Sequence, residues 1–310
     1  MSAVLAQHPP RPRSPLVPRH ETVMSGDVRL AVKRWGDPRR PTIVLVHGYP
    51  DNSHVWHPVA ERLATDFHVV AYDVRGAGDS DKPKGLRAYR LDRLSADFAA
   101  VIQQVSPEHP VHVVAHDWGS IQSWESVTDP RLQGRIASFT SCSGPCLDHM
   151  GHWFRQRLKR PTPKALWQVL VQSIKSWYIY LFHLPVLPGL LWRLGLARAW
   201  PTVVRWLEGT RMAPNPTQES DGRLGIQLYR ANMFPRLLFP RQRRAHAPVQ
   251  VLVPMRDLYV GPALTEDLGR WADQLWRREV EAGHWMPQSH PREFAGAVRR
   301  FVRFVDRRAG

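Results

Sequence analysis

Cysteine is scarce in this sequence, which has only Cys142 and Cys146 among 310 residues. Two cysteines cannot build a disulfide framework, and the pair does not form a metal-binding motif with histidine. We therefore predict no metal site. Because so few cysteines offer little for disulfide formation, we also expect a cytoplasmic location.

Glycine motifs that bind nucleotides are missing as well. The glycine-rich turn at residues 73–80 lacks both the Gly-x-Gly-x-x-Gly spacing of a dinucleotide site and the Gly-Lys-Ser/Thr ending of a phosphate loop. We predict that this turn is structural and that the protein uses no cofactor.

Long apolar runs are also missing. Residues 1–20 are rich in Pro, Arg and Ser and contain no run of secretory-signal length. The apolar run at residues 179–192 is interrupted by His183, Pro185 and Pro188 and is too short to span a bilayer. These features predict a soluble chain with a disordered arm at residues 1–21.

Acidic residues are few relative to basic ones: 43 Lys and Arg face 27 Asp and Glu, giving a net charge of +16. Such an excess is typical of proteins that bind nucleic acids or anionic membranes. The arginines are scattered in short runs and do not form a recognised nucleic-acid motif. We predict no specific nucleic-acid partner and leave open a weak association with anionic membrane.

The most informative segment that is present is residues 115–119, Ala-His-Asp-Trp-Gly. It joins a predicted buried strand, residues 111–114, to a helical pattern. A small residue lies two positions before Asp117, and another lies two positions after it. This arrangement is typical of the nucleophile elbow, in which a strained turn holds a side chain above the sheet. A carboxylate nucleophile suits attack on a saturated carbon, because the resulting ester can be hydrolysed. The alternative is that Asp117 only caps the following helix.

An acid and a histidine follow in the chain order that such a mechanism needs. Asp257 comes after the apolar strand pattern at residues 249–253, and His284 after the edge-strand pattern at residues 276–281. We predict that His284 is the general base and that Asp257 orients it. Asp148 is a second candidate for the acid.

An oxyanion site is predicted upstream. The β-branched run Thr42 to Val46 ends in His47-Gly48-Tyr49-Pro50. The amide of Tyr49, together with that of Trp118, is suited to bind the negative oxygen that forms when water attacks an ester on Asp117.

Together these segments resemble the epoxide hydrolase branch of the α/β-hydrolase superfamily over residues 23–304. The resemblance rests on five segments: His47 to Pro50, Asp73 to Ser80, His116 to Ser120, Asp257, and Gly283 to Trp285. Residues 114–150 also resemble the hydrolase half of actinobacterial proteins that fuse such a domain to a short-chain dehydrogenase. We expect this chain to carry the hydrolase part alone.

The resemblance implies two lid tyrosines that hydrogen-bond the epoxide oxygen and protonate it as the ring opens. Tyr178 and Tyr229 are the candidates, and Tyr180 is an alternative for the first position. The same comparison and the apolar character of the segment suggest the substrate-binding residues, which we predict to be Tyr49, Trp118, Trp177, Tyr180 and Phe182.

The catalytic candidates lie on both sides of a tryptophan-rich helical segment, which predicts one core with an insertion. We expect an α/β-hydrolase fold with a mostly parallel central sheet flanked by helices. Residues 22–145 and 234–307 would form the core, and residues 146–233 a helical lid.

The predicted function is hydrolysis of a lipophilic epoxide to a vicinal diol through an ester on Asp117. Its partners would be that epoxide and water, and the chain would be a monomer or a homodimer. Two alternatives remain: a haloalkane dehalogenase with the same nucleophile, and a non-catalytic homologue that only binds a small molecule.

Overall fold

A central sheet of eight strands organises residues 17–309, the part of the chain that the computed structural model describes. The strands are β1 (Arg19–Ser25), β2 (Val28–Trp35), β3 (Thr42–Val46), β4 (His68–Tyr72), β5 (Val111–His116), β6 (Ile136–Cys142), β7 (Val249–Pro254) and β8 (Leu275–Val280). Their order across the sheet is β1-β2-β4-β3-β5-β6-β7-β8. β2 pairs antiparallel with β1 and β4, and the other neighbouring strands are parallel. The predicted mostly parallel sheet is confirmed.

The inner strands are apolar because helices cover both faces of the sheet. Every residue of β3, β4 and β5 is buried, and these strands are rich in valine. A continuous β-branched run is typical of parallel strands without a solvent face. β8, at the edge of the sheet, exposes Arg277 to Glu279 and buries Val280, so its burial does not alternate as its sequence pattern predicts.

Eleven α-helices are present in the described residues. They are α1 (His57–Leu63), α2 (Leu91–Val105), α3 (Trp118–Val127), α4 (Leu147–Lys159), α5 (Pro163–Lys175), α6 (Trp177–His183), α7 (Leu187–Leu191), α8 (Ala197–Glu208), α9 (Gln218–Leu238), α10 (Met286–Ser289) and α11 (Pro291–Ala309). A π-helical turn, Trp192–Leu196, joins α7 to α8. The closing helix α11 buries Phe294, Val298 and Val302 on one face, which is the amphipathic pattern that its spacing predicts.

Helices α4 to α9 are inserted between β6 and β7 and form the lid. The predicted boundary at residues 233 and 234 is wrong by a few residues, because α9 continues to Leu238. The predicted arm also needs correction at its end, since β1 begins at Arg19. The rest of that prediction, residues 1–16, lies outside the described residues.

Buried polar contacts attach the lid to the core. Asp221 of α9 accepts hydrogen bonds from the Gly78 amide and from Asn52 Nδ2, at 3.0 and 3.2 Å. Asp148 of α4 accepts from Arg241 and is paired with that guanidinium. Asp148 is therefore a structural residue away from the base, and its candidacy as the orienting acid is wrong.

No single helix among residues 17–309 is long and apolar enough to cross a bilayer; one pair, Trp177–His183 with Leu187–Glu208, meets the length and composition test but is bent by 97°.

Candidate active site

Asp117 lies in a strained turn between β5 and α3. Its φ and ψ are 52° and −126°, a conformation that L side chains rarely adopt. The turn closes tightly: a Cβ at Gly119 would lie 2.1 Å from the Val46 carbonyl oxygen, and one at Gly144 would lie 2.1 Å from that of Asp117. The small residues of the motif thus allow the close approach that the elbow needs.

The turn after β3 directs an amide at the Asp117 carboxylate. The Tyr49 amide donates to Asp117 Oδ1 at 2.7 Å. His47 holds this turn, since its Nε2 accepts from the Val74 amide and its Nδ1 donates to the Gly48 carbonyl, both at 2.9 Å. This second bond fixes the peptide plane that carries the Tyr49 amide. The Trp118 amide lies in the first turn of α3, where helical N–H groups lack partners within the helix.

His284 connects the two aspartates. Its Nδ1 lies 3.0 Å from Asp257 Oδ2, and its Nε2 lies 3.5 Å from Asp117 Oδ2. The other oxygen of Asp257 accepts from the amides of Tyr259 and Val260, at 2.8 and 3.0 Å. All three side chains of this Asp–His–Asp group are buried. The structure therefore brings together the predicted nucleophile, base and acid.

The two carboxylates control the charge on the histidine. Burial by itself lowers the pKa of His284, but Asp257 and Asp117 outweigh it and hold the pKa well above the usual value. Burial by itself raises the pKa of Asp257. The charge and hydrogen bond of His284 outweigh burial, so the pKa of Asp257 is below its usual value. The group thus favours an imidazolium between two carboxylates as long as Asp117 is ionised.

A second histidine, His116, hydrogen-bonds the backbone of the base. His116 Nε2 donates to the His284 carbonyl oxygen at 2.8 Å. Burial lowers the pKa of His116 to about 4, so the ring stays neutral at ordinary pH and adds no charge beside the imidazolium. Its contact fixes the backbone of the loop that carries the base.

Tyr178 of α6 and Tyr229 of α9 line the same cavity as Asp117. Their rings meet edge to face with centroids 5.9 Å apart, and the Trp118 ring lies 4.7 Å from that of Tyr229. Burial, with a contribution from the Asp117 charge, raises the pKa of both tyrosines well above the usual value. Both hydroxyls therefore remain protonated and able to donate.

The cavity has a volume of about 220 Å³ and an almost entirely apolar lining. Of the predicted substrate-binding residues, Tyr49, Trp177 and Phe182 line it. Tyr180 does not: its side chain is 61% exposed and packs against Phe234. Its assignments to the substrate site and as an alternative lid tyrosine are therefore wrong. Trp118 is buried beneath Tyr229 and borders a smaller adjoining cavity instead.

Sequence reasoning missed several residues of the site. Tyr259 lines the cavity, and its ring centroid lies 4.8 Å from that of His284; its place two residues after Asp257 was an available signal. Asp51 accepts from Trp285 Nε1 at 2.9 Å, and burial raises the pKa of this acid to about 7. Glu208, at the end of α8, accepts from the Trp285 amide at 3.3 Å. Only the fold brings this lid carboxylate to the base.

Comparison with known proteins supports the fold. A family profile described as "alpha/beta hydrolase fold" matches residues 41–161. The protein "Probable oxidoreductase EphD" of Mycobacterium tuberculosis is 40% identical over 288 residues, which cover 90% of this chain and 48% of that protein. "Epoxide hydrolase 3" of Mus musculus is 27% identical, with 87% of this chain and 73% of that protein covered.

A solved structure shows the same fold. A mutant epoxide hydrolase from Bacillus megaterium, in complex with its diol product, matches with a TM-score of 0.76 and 22% identity; the match covers 92% of this chain and 100% of that one. This chain therefore has the α/β-hydrolase fold. Several of its sequence and structural relatives are named as epoxide hydrolases. The chain spans about half the length of the Mycobacterium EphD proteins, 48% of each.

Proposed function

We propose that this chain is an epoxide hydrolase that converts a lipophilic epoxide to a vicinal diol through an ester on Asp117. The observation that carries the proposal is a single apolar cavity lined by Asp117, His284 and the hydroxyl-bearing pair Tyr178 and Tyr229. A carboxylate attacks the carbon while protonated donors receive the oxygen that leaves it. Such a set of groups suits the opening of a strained ether.

In the first step, a carboxylate oxygen of Asp117 forms a bond to one epoxide carbon, and the bond from that carbon to the ring oxygen breaks. Tyr178 and Tyr229 donate hydrogen bonds to the departing oxygen and supply its proton. Their raised pKa keeps both phenols protonated before the step. The product is a hydroxyalkyl ester of Asp117.

In the second step, His284 takes a proton from water, and the oxygen of that water adds to the ester carbonyl carbon. The Tyr49 amide, which contacts the carboxylate at 2.7 Å, and the Trp118 amide bind the oxyanion. The intermediate collapses, and the diol oxygen leaves with the proton held by His284. The second proton of the water leaves the Asp117 carboxyl and returns to the tyrosinate formed in the first step, so the Asp117 carboxylate and both phenols are restored.

Formation of the ester also prepares the base. The Asp117 charge helps to hold the pKa of His284 above its usual value. Once Asp117 is alkylated this charge is gone, so the pKa of His284 falls when a neutral imidazole is needed. Asp257 keeps the ring oriented and stabilises the imidazolium that forms next.

The "oxidoreductase" in the names of the Mycobacterium relatives belongs to longer proteins, of which this chain spans 48%. The glycine-rich turn of this chain, at residues 73–80, lacks dinucleotide spacing. In the folded chain its Asp73 accepts from the amides of Ser53 and Asp79, a structural role. Hydrolysis is therefore the activity proposed for these residues.

The test is the intact mass of a His284→Gln variant after exposure to lipophilic epoxides and, separately, to haloalkanes. Without the base, the ester on Asp117 should accumulate. We expect a mass gain equal to one whole epoxide, and no gain in a variant that also carries Asp117→Ala.

Each other outcome contradicts the proposal in a different way. A gain equal to an alkyl group, with halide released and no reaction with epoxides, would assign the site to dehalogenation. Unmodified protein after both treatments, with ligand recovered unchanged, would indicate a binding protein.

A further inference from the structure

The outer surface of the lid carries a concentration of exposed apolar side chains. On α5, Leu166, Trp167, Leu170 and Ile174 are exposed at helical spacing. We define the lid face as these four residues together with Trp177, Tyr180, Leu184, Val186, Leu187, Leu190, Leu191, Leu194, Trp206 and Leu207. The elements that carry them pack in succession, α5 on α6, α6 on α7, and α7 through the π turn on α8. The residues of the lid face therefore lie on consecutive elements that contact one another.

Single exposed apolar residues are normal on a soluble protein, but a contiguous group needs a partner. Within residues 17–309, 21 large apolar side chains are exposed, and 14 of them belong to the lid face. Trp206 is 82% exposed and Trp167 65%. Indole rings are large apolar groups, and their removal from water is favourable.

Basic residues dominate the segment that carries the lid face, although Arg193 lies 4.0 Å from Glu219 of α9. Residues 159–211 contain eight Lys and Arg but one acid, Glu208. That carboxylate is turned toward the core, where it accepts from the Trp285 amide. Seven of the eight basic side chains are exposed: Lys159, Arg160, Lys164, Arg193, Arg198, Arg205 and Arg211. Tryptophan and leucine bordered by exposed basic residues are typical of surfaces that lie in the headgroup region of an anionic bilayer.

The lid face also borders the active-site cavity. Trp177 and Leu207 belong to the lid face, and both line the cavity that contains Asp117 and His284. An apolar path therefore runs from the outer surface to the nucleophile. A lipophilic molecule dissolved in a bilayer could follow it without crossing water.

Charge favours an anionic bilayer over a second copy of the chain as the partner of the lid face. Two lid faces placed together would bring their seven exposed basic residues against one another. An anionic surface instead attracts them.

We propose that the lid face docks on the surface of an anionic lipid bilayer, with Trp167 and Trp206 among the headgroups and Arg198 and Arg205 on lipid phosphates. The cavity entrance at Trp177 then opens toward the acyl chains. This interaction is a property of the free protein and requires no catalysis.

Co-sedimentation of the full chain with vesicles at physiological salt tests the proposal. One set of vesicles contains equal parts phosphatidylglycerol and phosphatidylcholine, and the other contains phosphatidylcholine alone. We expect binding to the first set, and a loss of about tenfold or more with either Trp167→Ser/Trp206→Ser or Arg198→Glu/Arg205→Glu. Asp117→Asn should bind like the wild type, which separates this result from failure of the proposed chemistry.

Two matched controls distinguish docking from attraction by net charge. Arg300→Glu/Arg307→Glu makes the same charge change on α11, where neither arginine forms an ion pair within the described residues. Met24→Ser/Leu86→Ser removes exposed apolar side chains outside the lid face. Both controls should retain binding. Equal losses in the α11 and lid variants, no binding by the wild type, or a dimer that the tryptophan variant dissociates would each overturn the proposal.

Discussion

At the scale of single residues, the proposed acid function is divided between two phenols attached to different elements. Tyr178 belongs to α6 and Tyr229 to α9, and the Tyr49 ring approaches Tyr229 at a centroid distance of 5.3 Å. Both side chains line the same cavity. We therefore expect each tyrosine to contribute separately as a donor, and the two contributions can be measured one at a time.

We predict that Tyr178→Phe and Tyr229→Phe each slow alkylation of Asp117 by about 10- to 100-fold, and that the double variant is slower by about 10²- to 10⁴-fold, the usual range for general acid catalysis. The rate of adduct formation in the His284→Gln background measures this step alone. Tyr180→Phe, on the same helix but outside the cavity, is the control. A double variant as fast as the parent would rule out proton donation by these residues.

At the scale of elements, the strand-turn-helix unit β5-Asp117-α3 is determined by close backbone contacts. The Asp117 amide donates to the Cys142 carbonyl at 3.0 Å, and Ser120 Oγ donates to the Gly144 carbonyl at 2.7 Å. These bonds tie the elbow to the end of β6. The nucleophile is thus held by its own turn and by the neighbouring strand.

We predict that Gly119→Ala destabilises the protein by about 1 to 3 kcal/mol, as overpacking in a tight interior does. Its Cβ would lie 2.1 Å from the Val46 carbonyl oxygen, a backbone atom that cannot rotate away. Gly269→Ala is the matched control, because no atom lies within 4 Å of its Cβ position. Chemical denaturation measures both, and equal midpoints would contradict the proposed tight contact at the elbow.

Local signals explain which elements could be predicted. The strands before Asp117 and Asp257 are rich in valine, so their ends could be predicted from the sequence. The lid lacks such signals, because α6 is apolar on both sides and offers no reason to prefer Tyr178 over Tyr180. Its final helix also runs past the predicted boundary to Leu238 while packing on α4. Contacts between elements determine which tyrosine of α6 lines the cavity and where α9 ends.

At the scale of the whole molecule, the lid and the catalytic loop meet at Glu208. A Cβ at Gly283 would lie 2.1 Å from Glu208 Oε2, so the glycine before the base leaves room for this carboxylate. Burial raises the pKa of Glu208, and the charge of His284 acts in the opposite direction. The two groups therefore influence each other, and an ionised Glu208 stabilises the imidazolium form of His284. No pattern in the sequence connects residues 208 and 284.

We predict that Glu208→Gln moves the acid limb of the pH–rate profile for ester hydrolysis to lower pH, by less than about one unit. The sign follows from charge: loss of the carboxylate removes stabilisation of the imidazolium, so His284 becomes a neutral base at a lower pH. The glutamine oxygen can still accept from the Trp285 amide, which preserves the contact. Glu219→Gln, an exposed acid on the lid, should leave the profile unchanged. A merely structural role would reduce the rate at every pH without moving the limb, which would contradict the coupling between lid and base.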